Sequence, residues 1–226
     1  PCPKDKAERI NSLGEKLLRK TTDVKQRENA IMLLCYIYAE IDKEKALFYA
    51  DMGGSMHVTR EELRMTVLDG EDGVEACQNY ICNLILAAAL TTLRMTGKIP
   101  FSPEEEIESL RFAIDILERL CAGGNVGYYS SHLSYLYLQV AFQYAQMQEP
   151  QKTLDALSES CRYAVVEANL KDMDYTAPMM NRLKYKKANM TKNYKGNTCN
   201  LRLEDLENKP FDFVREKAAF KELAVL

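Results

Sequence analysis

Residues 137–164, YLQVAFQYAQMQEPQKTLDALSESCRYA, constrain the fold more than any other stretch of the chain. Tyr137, Val140, Ala141, Tyr144 and Met147 recur at steps of three and four, the spacing that places side chains on one face of a helix. The pattern stops at Gln148, Glu149 and Pro150. Proline is favoured in the first helical turn, where its missing N–H has no intrahelical partner to lose. A second apolar face follows in Leu154, Leu157, Cys161 and Ala164. The stretch is therefore a helix, a tight turn and a helix. Two helices joined so closely pack antiparallel. The pair alone leaves apolar surface that neighbouring pairs must cover.

The rest of the chain reads the same way. Residues 4–20 predict a helix with Ile10, Leu13 and Leu17 as its stripe. Asp23 is placed to cap a helix over 24–41, with Gln26 at the capping-box position, and a short helix over 43–52 follows. Gly53, Gly54 and Ser55 mark a break, and Thr59 with Glu62 marks a capping box before another short helix. Residues 71–96 carry the longest periodic segment. Val74, Cys77, Ile81, Leu84, Ala88 and Met95 share one face, while Cys82, Ile85, Leu86, Ala89 and Leu90 make it apolar nearly all round. Such a helix is expected at the centre of the packing, surrounded by others. Ser102, Pro103 and Glu105 form a clear helix start, followed by Ile107, Leu110, Ile114, Leu117 and Cys121. Helix pairs are thus expected over 24–52, 71–121 and 127–169. Beyond Leu170 the periodicity thins: a loop over 172–178, a short helix over 181–187, and short terminal helices with Phe211, Phe213, Val214 and Phe220 available to dock. Period-two alternation is nowhere sustained, so the chain is read as all-α.

Little in the sequence points to catalysis. His57 and His132 lie on different elements without metal-ligand spacing, and read as surface or packing residues. Gly123–Gly127 lacks the strand before it and the lysine–serine/threonine after it that a phosphate loop needs, and reads as a helix end and turn. Glu104, Glu105 and Glu106 suit the first turn of a helix through its dipole. No serine or cysteine has an evident base. The chain is read as a non-enzyme, with no cofactor and no metal. Seven cysteines, mostly on apolar helical faces, behave as small hydrophobes and favour a reducing, cytoplasmic setting. The longest apolar run, 81–90, is too short to span a bilayer. A net charge of −3 gives no field that would gather nucleic acid. The basic stretch 182–195, with Tyr185 and Tyr194 interleaved, reads as a solvated surface in preference to a phosphate-binding patch.

The spacing of Tyr137, Ala141 and Tyr144, then Leu157 after the turn, resembles a tetratricopeptide repeat (TPR). Thr153 departs from the family's usual alanine and Gln148 from its frequent glycine. A second copy resembles it upstream in Ala30, Leu34, Ile37, Ala46 and Ala50, with Leu34 where the family has a small residue. Each copy has apolar residues on a second face of its first helix: Ile31, Cys35 and Tyr38, and Tyr135, Leu138 and Phe142. In TPR proteins the matching positions line a concave groove, and groove-facing aromatics suit capture of a peptide or partner helix. Two readings stay open: these residues line a groove, or the array is closed and they pack internally. Over nearly its full length the chain also resembles the C-terminal region of bacterial XRE-type helix-turn-helix transcriptional regulators of Firmicutes. The resemblance rests on the order of KEKALFYA (Lys43–Ala50), VLDGEDGVEACQNYI (Val67–Ile81), SPEEEIESL (Ser102–Leu110), NRLKYKKANMTKNYKGN (Asn181–Asn197) and KPFDFVRE (Lys209–Glu216). It implies an effector-binding or oligomerisation region, a homodimer, and a peptide or protein partner. It further implies a DNA-binding domain outside this sequence and no direct nucleic-acid or membrane contact by this part. The alternative from another class is a constitutive scaffold, whose groove would be polar or filled by the protein's own C-terminal tail.

Overall fold

A computed structural model describes residues 4–52, 60–98, 100–187 and 197–223. The chain is mostly helical and divides into two compact units, Pro1–Thr59 and Arg60–Leu226.

The first unit holds α1 (Lys4–Lys20), α2 (Val24–Ala39) and α3 (Lys43–Asp51). Asp23 caps α2 by accepting from the Gln26 N–H at 2.8 Å, and Asp42 caps α3 through the Lys45 N–H at 3.1 Å. Each cap satisfies an N–H that the first helical turn leaves without a partner. Its core is a small cluster of Leu18, Ala30, Ile31, Leu34, Tyr38, Ala46 and Tyr49. The stripe expected on α1 is out of phase. Leu13 and Leu17 face outward, and the buried positions are Asn11, Gly14 and Leu18. The cause is local. Leu34, bulky where the repeat family has a small residue, lies against Gly14, where a Cβ would come within 2.9 Å of Leu34 Cδ2. The rotation also turns Glu15 toward the two tyrosines described below.

The second unit holds α4 (Arg60–Val67), α5 (Gly70–Thr96), α6 (Pro103–Cys121), α7 (Ser130–Gln146), α8 (Pro150–Ala168), α9 (Thr198–Leu206) and α10 (Ala218–Leu223). Helical hairpins α5–α6 and α7–α8 dominate it, and α6 also packs on α7. The capping box at Ser102 is complete: its hydroxyl accepts from the Glu105 N–H at 3.3 Å, and the Glu105 carboxylate accepts from the Ser102 N–H at 2.9 Å. The α7–α8 turn places Gln148 at φ +56°, a left-handed conformation that favours glycine. α5 is not surrounded. It is long and apolar enough, by length and composition, to cross a membrane. Yet it buries one side only, through Gln78, Cys82, Ala89 and Thr96, and leaves Val74, Leu84 and Met95 exposed. The interruption comes from Glu75, Asn79 and Asn83, which line a polar hollow with Arg64 and Asp72.

Residues 181–187 form no helix. They contain β2 (Lys184–Tyr185), which pairs antiparallel with β1 (Met173–Asp174). This two-residue ladder folds the segment back over the α6–α7 loop. The chain then continues through α9, a 3₁₀ turn at Lys209–Val214, and α10, which bury Leu206, Phe211, Val214 and Phe220. His57 and the capping box proposed at Thr59 and Glu62 lie outside the described side chains.

Candidate functional site

The six residues expected to line a groove fall into different environments. In the first unit, Ile31 and Cys35 border an open hollow of about 560 Å³. It is also lined by Val24, Met32 and Tyr36 of α2, by Ala50 and Met52, and by the charged pair Arg27 and Glu28. The geometry of α2 explains the shape. Val24, Glu28, Met32 and Tyr36 form one row at steps of four, and Arg27, Ile31 and Cys35 form the adjacent row. The hollow is the furrow between these rows, widened at one side by the end of α3. Val24, Met32 and Tyr36 are 70%, 53% and 62% exposed and lie together along this one hollow, and it is such grouping of exposed apolar side chains that marks an interaction surface.

Tyr38 is not part of this hollow. Its ring stacks on Tyr49 with centroids 5.6 Å apart, and both hydroxyls donate to one Glu15 oxygen, at 3.0 and 3.1 Å. Burial first, and then the hydrogen bond to Glu15, pushes the Tyr38 hydroxyl up to about 12. The same bond is the main reason the Glu15 carboxyl is held below its ordinary value. The second unit repeats the device with other residues. Glu118 of α6 accepts from Tyr137 of α7 and Tyr163 of α8, both at 2.9 Å, and the two rings stack at 5.8 Å. In each unit one carboxylate ties a helix to both members of the following pair. Nothing in helical spacing announces such a tie, because the three residues are far apart in sequence.

In the second unit, Leu138 is 2% exposed and belongs to the core, so it lines no open groove. Phe142 is covered by the chain itself: its ring stacks on Phe211 of the C-terminal 3₁₀ turn at 4.7 Å. Tyr135 alone of this trio is open. It edges a small apolar pocket of about 160 Å³ with Leu90, Leu93, His132 and Leu136. Burial pushes the His132 imidazole below its ordinary value, and the ring lies edge-on to Tyr128. Tyr135 and Phe142 therefore line no common pocket.

Other sequence features resolve into structure. In the Gly123–Gly127 loop, Asn125 exchanges hydrogen bonds with Thr176 and donates to the Asp174 carbonyl. A Cβ on Gly124 would meet the Ala177 nitrogen at 2.0 Å. The Asn125 amide thus serves this internal seam, and the Gly124 amide bonds back to the Cys121 carbonyl at the end of α6. Of the basic stretch, Arg182 pairs with Glu71, Lys184 lies 3.7 Å from Asp174, and Lys187 donates to the Leu170 carbonyl. Lys192, Tyr194 and Lys195 lie outside the described residues. The described cysteines are free thiols, and burial holds Cys121 up to about 12 and Cys161 up to about 11. A groove across α6–α8, with Arg111, Asp115, Lys152, Asp155 and Glu159, mixes charges of both signs and selects no ligand class. No family model, curated protein or solved structure matches the chain.

Proposed function

We propose that this chain is a partner-docking region, and that its docking site is the hollow along α2. The observation that carries this reading is the exposed row Val24, Met32 and Tyr36 on α2, beside buried Ile31 and half-buried Cys35, rimmed by one positive and one negative charge. A furrow of this kind accepts a row of apolar side chains from a short peptide or an amphipathic helix. The resemblance to XRE-type regulators gives the docking its role. The chain is the effector-binding or oligomerisation part of a cytoplasmic transcriptional regulator built on TPR-like helix pairs. The free thiols support a reducing setting. In that role the partner acts by binding one arrangement of a regulator dimer more tightly than another, since equal affinity for both would shift nothing.

A second reading, the constitutive scaffold, draws on one observation: the second-face residue Phe142 is already occupied by Phe211. It makes the second unit a closed body and leaves all docking to α2.

Peptide display against the full chain tests the proposal. Enriched peptides should carry apolar residues at helical spacing, and Met32→Asp should weaken their binding at least about tenfold, about 1.4 kcal/mol. No enrichment, or binding indifferent to Met32→Asp, overturns it.

A further inference from the structure

The first unit has another hollow, of about 530 Å³, that shares no lining residue with the one along α2. Asn11 and Glu15 of α1, Tyr38 of α2, and Asp42 and Lys45 at the start of α3 line it. Asn11 is its most telling member. The side chain is 5% exposed, and its Oδ1 has no hydrogen-bond partner among the described residues. A buried oxygen in that state is uncommon, because it has lost water and gained no donor in exchange. It can be satisfied by an N–H or O–H brought in from outside.

The rest of the lining selects the donor. Glu15 and Asp42 set two carboxylates against one lysine, Lys45, so the wall carries an excess of negative charge. Asp42 uses one oxygen on the Lys45 N–H at 3.1 Å. Its other oxygen is 3.9 Å from Lys45 Nζ, too far for a hydrogen bond. The Tyr38 ring adds a π face, which attracts cations. Lys45 Nζ already lies 5.1 Å from the centre of that ring, on a side chain that is 57% exposed. An ammonium therefore suits this place, and the chain's own is held loosely. No cluster of three or more metal-ligating side chains forms among the described residues, and an aromatic face is no ligand for a hard metal ion.

We propose that this hollow binds an alkylammonium group from outside the chain. Asn11 Oδ1 accepts one of its N–H groups, Glu15 and Asp42 supply the countercharge, and the Tyr38 ring supplies the π face. Lys45 is a tethered rival that the incoming group displaces. The group is either a free amine or a lysine side chain of a partner, and the recognition is the same for both.

Calorimetric titration of the full chain tests this with two probes, 1,5-diaminopentane and a lysine capped at both backbone ends. At least one should bind, and uncharged 1,5-pentanediol should not. Tighter binding of the diamine assigns the site to a free amine, and tighter binding of the capped lysine assigns it to a protein partner; either result supports the proposal. Asp42→Asn keeps the oxygen that caps α3 but removes the charge, and should weaken binding at least about fivefold. Asn11→Leu should weaken it at least about fivefold as well, yet leave the thermal midpoint level or higher, because the orphaned oxygen is gone. A purely structural Asn11 would not give that combination. Lys45→Met should tighten binding at least about threefold by removing the rival charge. Met32→Asp should leave amine binding unchanged, so this proposal and the docking reading stand or fall separately. Binding of neither amine, binding indifferent to Asp42→Asn or to Asn11→Leu, or binding weakened by Lys45→Met overturns it.

Discussion

Glu15 and Glu118 each serve two tyrosines, and the Glu15 tie makes part of the molecule's stability depend on pH. The Glu15 carboxyl has a lowered pKa in the folded chain, chiefly through the Tyr38 hydroxyl. Its contribution to stability is therefore fully present above its ordinary value of 4.5 and is lost as pH falls through the lowered folded value. Glu15→Gln keeps an acceptor oxygen but no longer titrates. Thermal melts followed by circular dichroism from neutral pH into the acid range should show a shallower acid loss in Glu15→Gln than in wild type. Equal slopes would mean that the tie carries no charge-dependent stability. At this scale the sequence was least legible. Tyr38 lies on the second face of its helix by spacing, beside Ile31 and Cys35, yet its hydroxyl finds a carboxylate on α1. A side chain of mixed character goes where its polar tip is satisfied, and periodicity does not encode that.

Helix ends were the most legible features, because they are local. Ser102 with Glu105, Asp23 with Gln26, and Pro150 after a tight turn are read from a few neighbouring residues, and the structure places each at a helix start. Helix faces were less so. The stripe Ile10, Leu13 and Leu17 on α1 is sound by spacing, but the helix is turned so that Gly14 meets Leu34. The one-sided burial of α5 and the ladder at residues 184–185 depend in the same way on distant partners. Gln148 offers a test at this scale. Its left-handed φ costs a side-chain-bearing residue about 1 kcal/mol. Gln148→Gly should raise the denaturation midpoint slightly, offset in part by the hydrogen bond its side chain gives the Ala145 carbonyl. Gln148→Val, β-branched, should lower the midpoint, through a loss of about 1–2 kcal/mol in the free energy of unfolding. Urea denaturation of the three proteins checks the order.

Across the whole molecule the two units differ in how much apolar side chain they hide. The first buries seven apolar residues among those described, and leaves Leu13, Val24, Met32, Tyr36, Leu47 and Phe48 open. The second gathers side chains from α5 to α10 into one large cluster. Small cores are marginal, since less surface leaves water per residue ordered. Amide exchange at low protein concentration should therefore be slowest in α6–α8 and faster in α1–α3. Equal protection in both units would contradict the contrast. The uneven burial of the thiols carries a practical corollary. Cys77 stands on the open side of α5 and Cys35 at the edge of the α2 hollow, while Cys82, Cys121 and Cys161 are sealed inside. A maleimide dye would mark the rim and outer skin of this protein and spare its interior. The rate at which Cys35 takes the label would then report, in real time, whether the cleft beside it is shielded.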